Sequence, residues 1–263
     1  MNNPYLPKPY VIKSIHKETD IDWTFEIGYE GPLTGGQFME ISIPGVGEAP
    51  ISISNFTDTS VFMTIRKVGR LTDQVFNSKV GDSLFFRGPY GNGFNLDLFK
   101  GKDLAIIAGG TGLAPVQKTI DTFIQNQDLV NNIEVICGFK SPSDLLFKDT
   151  LADWKSKANV IVSVDQADEN WMGETGLVTT HLTKLDLSDA ASKTAIVVGP
   201  PIMMKFTTLE LIKLGVKEEN IWVSFERKMS CGIGKCGHCK IDETYVCLEG
   251  PVFNYTKAKH LID

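Results

Sequence analysis

Apolar and polar residues alternate one for one along the first third of the chain. Tyr10-Val-Ile-Lys-Ser-Ile15, Trp23-Thr-Phe-Glu-Ile27, Gln37-Phe-Met-Glu-Ile-Ser-Ile43, Ile51-Ser-Ile-Ser54, Val61-Phe-Met-Thr-Ile-Arg66 and Ser83-Leu-Phe-Phe-Arg87 are rich in β-branched and aromatic residues. Such a period of two marks strands buried on one face. Many short strands separated by Gly/Pro turns predict a closed barrel over residues 1–97. Asp73 to Lys79 breaks the pattern as a short amphipathic run, with Thr72 placed to cap it. Gly88-Pro-Tyr-Gly-Asn-Gly-Phe94 reads as the turn out of the barrel.

From residue 98 the alternation gives way to continuous apolar runs. Asp103-Leu-Ala-Ile-Ile-Ala108, Asn132-Ile-Glu-Val-Ile-Cys-Gly138, Val160-Ile-Val-Ser-Val164, Thr194-Ala-Ile-Val-Val198 and Asn220-Ile-Trp-Val-Ser224 read as strands buried on both faces. Helical stretches such as Ile202 to Leu214 lie between most of them. That order predicts a parallel α/β sheet over 98–224. A third segment, 225–263, is set apart by its cysteines.

Composition narrows the function classes. The 263 residues are 42% apolar and 22% charged, enough for a sizeable core. A net charge of −6 offers no basic face for nucleic acid. There is no run of about 20 apolar residues, so no membrane span is expected. No apolar signal region is read at the start, and with clustered thiols this leads to the expectation of a reducing cytoplasm. Cys137 stands alone in an apolar run and reads as a small buried hydrophobe.

The other four cysteines carry the strongest chemistry. Cys231, Cys236, Cys239 and Cys247 are spaced C-x4-C-x2-C-x7-C, with Gly232, Gly234 and Gly237 between them. The first three match the plant-type pattern for a [2Fe–2S] cluster. Thiolates suit iron–sulfide, and glycines let a loop wrap it closely. The alternative is a structural zinc site, with His238 adjacent, although zinc ribbons carry two C-x2-C pairs and this segment carries one. A hairpin around Asp242-Glu-Thr244 is needed to return Cys247 to the other three.

Two glycine turns mark a nucleotide crevice. Gly109, Gly110, Thr111 and Gly112 follow the first α/β strand and open a helix, with Pro115 in its first turn. Gly199, Pro200 and Pro201 are placed in the same way after a later strand. Paired turns at the ends of parallel strands frame a ligand site, although either alone also reads as a plain strand-to-helix turn. In the barrel, Arg66 and the start of the Thr72 helix are candidate phosphate ligands, or simply a surface charge and a cap. His16, His181, His238 and His260 read as surface or structural, and no catalytic acid–base pair stands out.

Together these motifs resemble the ferredoxin-reductase superfamily. The cysteine tail narrows the resemblance to the electron-transfer subunits of dihydroorotate dehydrogenase, the gamma subunits of sulfhydrogenases and the electron-transfer subunit of anaerobic sulfite reductase. Gly47-Glu-Ala-Pro-Ile-Ser-Ile-Ser54, Gly199-Pro-Pro-Ile-Met203, Ile221-Trp-Val223, Gly234-Lys-Cys-Gly-His-Cys239, Tyr245-Val-Cys247 and Gly250-Pro-Val-Phe-Asn-Tyr255 look most like the last. The resemblance implies an FAD-binding barrel, with Pro50, Ile51, Ser52, Thr64, Ile65, Arg66, Leu71 and Thr72 at the flavin. It places NADH at Gly109 to Gly112 and Gly199 to Pro201, and makes the four cysteines cluster ligands. Lys140 is the one base after the second α/β strand, too little for a 2′-phosphate site, so NADH is expected over NADPH. Many superfamily members carry an Arg-x-Tyr-Ser flavin motif; Ala49 and Ile51 stand at its Arg and Tyr positions. The implied function is a relay from NADH through FAD and the cluster to an iron–sulfur subunit and a sirohaem subunit of a hetero-oligomeric sulfite reductase. The same relay serving dihydroorotate dehydrogenase or a sulfhydrogenase is one alternative. A zinc-stabilised nucleotide module without redox chemistry is another.

Overall fold

The computed structural model describes residues 3–261, which divide into two compact units. The first joins residues 3–94 to Glu226–Pro251, and the second takes Asn95–Phe225 and residues 252–261.

In the first unit, β1 (Lys8–Lys17), β2 (Asp22–Gly28), β3 (Phe38–Ile43), β4 (Gly47–Phe56), β5 (Ser60–Arg66) and β6 (Ser83–Tyr90) close into an antiparallel barrel in the order β1-β2-β5-β4-β3-β6. The alternating positions supply its core, including Ile12, Phe25, Met39, Ile53, Met63 and Phe86. Closure gives every strand two paired neighbours, although the β4–β5 ladder covers only part of each strand. Two local expectations are corrected. The strand from Ser83 continues through Gly88 to Tyr90, because Tyr90 still pairs with Phe38 across a bulge in the β3–β6 ladder. The turn out of the barrel therefore begins only at Gly91. The short helix α1 spans Arg70–Val75, not Asp73 to Lys79, and starts from Gly69. Thr72 is not the residue before the helix but its third residue: its Oγ1 caps the start from inside, accepting from the N–H groups of Val68 and Gly69 and donating to the Gly69 carbonyl.

In the second unit the elements are β7 (Asp103–Gly109), α2 (Leu113–Gln125), β8 (Asn132–Phe139), α3 (Lys148–Lys157), β9 (Asn159–Val164), β10 (Glu174–Thr175), β11 (Thr194–Val198), α4 (Pro201–Lys213) and β12 (Ile221–Ser224). The apolar runs make one parallel sheet with strand order β10-β9-β8-β7-β11-β12. Helix α2 buries Val116, Ile120, Phe123 and Ile124, a stripe at helical spacing. A buried ion pair, Lys193 Nζ to Glu134 Oε2 at 2.6 Å, ties β8 to the entry of β11 at the end of the strands away from the glycine turns. Cys137 lies wholly buried in β8, and burial pushes its thiol up to about 12.

The cysteine segment adds a hairpin, β13 (Lys240–Ile241) with β14 (Thr244–Tyr245), followed by the single turn α5 (Val246–Glu249). The chain then re-enters the second unit as β15 (Val252–Asn254), antiparallel to β12 at the sheet edge, and α6 (Tyr255–Ala258).

Candidate functional site: a cysteine loop, a glycine crevice and a strand notch

The cysteine loop is built on the barrel unit. Asn92 N–H donates to the Gly250 carbonyl at 2.8 Å and its side-chain amide to the Glu249 carbonyl at 2.9 Å, anchoring the far end. The expected hairpin turns at Asp242-Glu243, with Asp242 in the left-handed region at φ 48°, and carries Cys247 back. The thiols meet two and two: Cys236 is within hydrogen-bond reach of Cys231, and Cys247 of Cys239. Cys231, Cys239 and Cys247 are buried, whereas Cys236 is exposed.

Backbone N–H groups converge on the same sulfurs. Those of Ile233 and Lys235 point at Cys231 Sγ from 3.4 and 3.3 Å, that of Cys236 from 3.5 Å, and that of Gly234 at Cys247 Sγ from 3.2 Å. Such donors stabilise thiolate charge. Burial, followed by the Cys239 contact, pushes the Cys247 thiol up to about 12, while the His238 backbone N–H holds Cys236 below the usual thiol range. Among the described residues no three Cys, His, Asp or Glu side chains converge on one point as a single zinc requires. Two thiol pairs joined by a donor-lined loop fit a two-iron cluster.

The glycine turns lie side by side in the second unit. β7 pairs with β8 on one side and β11 on the other, so Gly109 to Gly112 and Gly199 to Pro201 stand where the strand order reverses. A Cβ on Gly112 would meet Gly199 Cα at 2.6 Å and the Val198 carbonyl at 2.7 Å. Only glycine permits this approach, which brings the N-terminal end of α2 against the second turn. Pro201 opens α4 at its first helical position, where the lost N–H costs nothing. The arrangement brings the positive dipole ends of two helices together, which suits an anion.

The flavin candidates border a notch in the barrel wall. The β4–β5 ladder runs over Ile53–Phe56 and Val61–Met63 and does not reach Pro50 to Ser52 or Thr64 to Arg66. On that side the two strand edges separate, and their backbone groups are available to a polar ring. Ile51, Ser52 and Thr64 are half-buried at the notch and Leu71, on α1, is half-buried too, while Ile65 points into the core and offers only its backbone. Arg66 is held in a fork by fully buried Asp22, Nε to Oδ1 at 2.8 Å and Nη2 to Oδ2 at 2.9 Å, so its plane is fixed. The Thr72 hydroxyl is used by its own loop, as described above.

Sequence reading missed the group beneath the cysteine loop. Arg87, Glu48, Glu40 and Tyr90 gather there, and the one available signal was a charge inside the apolar strand Ser83-Leu-Phe-Phe-Arg87. His181, by contrast, is the expected structural histidine, buried against Ser163 at 2.9 Å.

Fold and site together define an electron-transfer module of the oxidoreductases, with a closed barrel, a nicotinamide-nucleotide sheet and an iron–sulfur segment. A model of the oxidoreductase NAD-binding domain matches residues 106–208, and one of the iron–sulfur cluster binding domain of dihydroorotate dehydrogenase B matches 226–259. Sulfhydrogenase 1 subunit gamma of Pyrococcus furiosus is 37% identical over 97% of this chain and 92% of its own length. The probable dihydroorotate dehydrogenase B (NAD(+)) electron transfer subunit of the same organism is 32% identical over 91% and 85%. A chain of the NADH-dependent reduced ferredoxin–NADP oxidoreductase structure superposes with TM-score 0.78 at 24% identity, covering 99% of this chain and 94% of that one. The chain belongs to the family of these sulfhydrogenase gamma and dihydroorotate dehydrogenase B electron-transfer subunits. It is an NAD-binding, iron–sulfur-binding electron-transfer subunit. Among the described residues no helix is long and apolar enough to cross a membrane.

Proposed function

We propose that the chain takes electrons from NADH, passes them through FAD in the barrel and a [2Fe–2S] cluster on Cys231, Cys236, Cys239 and Cys247, and delivers them to a partner subunit in the cytoplasm. The observation that carries this is the two-and-two pairing of thiols under four inward N–H groups. When bound, the nicotinamide supplies a hydride, the flavin converts two electrons to single ones, and the cluster carries one at a time. The protein positions them. Gly109 to Gly112 and Gly199 to Pro201 hold the dinucleotide, and Pro50 to Ser52 with Thr64 to Arg66 hold the flavin ring. Arg66 and the start of the Thr72 helix, with Leu71 beside them, would hold its phosphate. The exposed Cys236 edge, with Lys235 beside it, faces the acceptor.

The narrower reading is an anaerobic sulfite reductase, with iron–sulfur and sirohaem subunits as partners. It is supported by the segments around Gly47 to Ser54 and Gly234 to Cys239. A hydrogenase partner is the second reading, favoured by the 37% identity to a sulfhydrogenase gamma subunit. Anaerobically purified protein should show flavin absorbance and about two irons per chain. A single zinc and no flavin would refute the relay. Co-purification from native cells decides the partner: sulfite-reducing subunits support the narrower reading, and hydrogenase or dihydroorotate dehydrogenase subunits exclude it.

A further inference from the structure

A buried guanidinium sits under the first cluster ligand. Arg87, on β6, is 6% exposed. Its Nη1 donates to the Cys231 carbonyl at 2.5 Å, and its Nη2 donates to the Ser230 carbonyl. Nε and Nη2 form a fork with Glu48 Oε1 and Oε2 at 3.1 and 3.0 Å. Nη1 also reaches Tyr90 Oη at 3.2 Å, and the guanidinium lies 5.6 Å from the Tyr90 ring centre. That ring packs on Gly232, the residue after Cys231. Across the ladder from Arg87 stands Glu40, fully buried with neither carboxyl oxygen hydrogen-bonded.

Two consequences follow. Arg87 is the bond between barrel wall and the loop that presents Cys231, since it satisfies two consecutive carbonyls that the irregular loop cannot pair itself. It is also a permanent positive charge in a water-poor site, because arginine does not deprotonate in proteins. Reducing a [2Fe–2S] cluster by one electron adds one negative charge beside it. A fixed cation favours that state, and low local dielectric strengthens the effect. Glu48 offsets it, being the carboxylate paired to the same guanidinium.

We propose that Arg87 is a positioning residue that seats the Cys231 loop and raises the cluster's reduction potential, with Glu48 setting how much of its charge the cluster feels. The proposal rests on the cluster reading above. It is tested by potentiometric titration of the cofactor-loaded protein, following the cluster by EPR and the flavin by absorbance. Arg87→Gln is expected to move the cluster midpoint to a more negative value and leave the flavin midpoint in place. Arg87→Lys, which keeps the charge and loses the fork, should stay nearer the wild-type value. Glu48→Gln should move the midpoint the opposite way, to a more positive value. An unchanged midpoint in both Arg87→Gln and Glu48→Gln, or shifts of the same sign, would overturn the proposal. Should Arg87→Gln lose the cluster, Glu48→Gln alone decides, since Glu48 is exposed and bonds the Arg87 guanidinium rather than the loop carbonyls. A wild-type protein without any cluster signal would instead defeat the relay itself.

Discussion

Glu40 is fully buried with neither carboxyl oxygen hydrogen-bonded. Burial raises its carboxyl from an ordinary value near 4.5 to about 7, with Glu48 and Cys231 adding to the rise and Arg87 opposing it. A carboxyl whose folded value lies above its unfolded one binds protons more tightly when folded, so stability falls as pH rises between those values and is level above them. The difference is on the order of 3 kcal/mol. Unfolding followed from about pH 5 to about pH 8 should show this loss, and Glu40→Gln should flatten it. An unchanged slope in the variant would mean that the carboxyl is not buried as described. Gly232 is held in the left-handed region against the Tyr90 ring. Its φ is +71°, and an added Cβ would sit 2.7 Å from the Tyr90 ring. Gly232→Ala therefore pays left-handed strain of about 1–2 kcal/mol besides the clash. Faster loss of iron to a chelator, with flavin content unchanged, is the expected result; wild-type retention would show that the Tyr90 contact is slack.

Among the elements, the two glycine turns are the most sharply determined. Gly112→Ala sets a methyl against backbone of the neighbouring turn, which cannot swing aside as a side chain would. A stability loss of about 1–3 kcal/mol is expected. Reduction by NADH should slow by about tenfold to a hundredfold, since the dinucleotide end of α2 is displaced. Reduction by dithionite should be unaffected, and a parallel loss of both would point to general misfolding. These turns were legible in the sequence because apolar runs such as Asp103 to Ala108 stop at glycine, and buried parallel strands leave few other readings. The barrel was legible from alternation, and the hairpin at Asp242 from the need to return Cys247. Other elements were not. β10 and β15 are two and three residues long, too short for any periodicity, and exist because the sheet beside them offers a free edge. α1 was misplaced because the Thr72 hydroxyl serves the preceding loop, which residue type alone does not reveal. Beyond the charge of Arg87 in an apolar strand, its group left no sequence signal, because its partners, Glu48, Ser230 and Cys231, come from separate stretches of sequence that only the fold brings together.

For the molecule as a whole, the account is one of separated duties. In the proposed relay the sheet would recognise the dinucleotide, the barrel notch would take the flavin, and the exposed Cys236 would face the partner. Cys236→Ser separates the first two duties from the last. NADH should still bleach the flavin in this variant, while electron delivery to the partner complex is lost; failure of flavin reduction in a folded, flavin-loaded variant would contradict the proposed order. The most direct test of the relay is rapid freeze-quench of the anaerobic wild-type protein after mixing with NADH, with flavin absorbance and cluster EPR read at each time. The account predicts that flavin bleaching comes first and a reduced [2Fe–2S] signal follows within the same turnover. A cluster that stays oxidised while the flavin is fully reduced would contradict it.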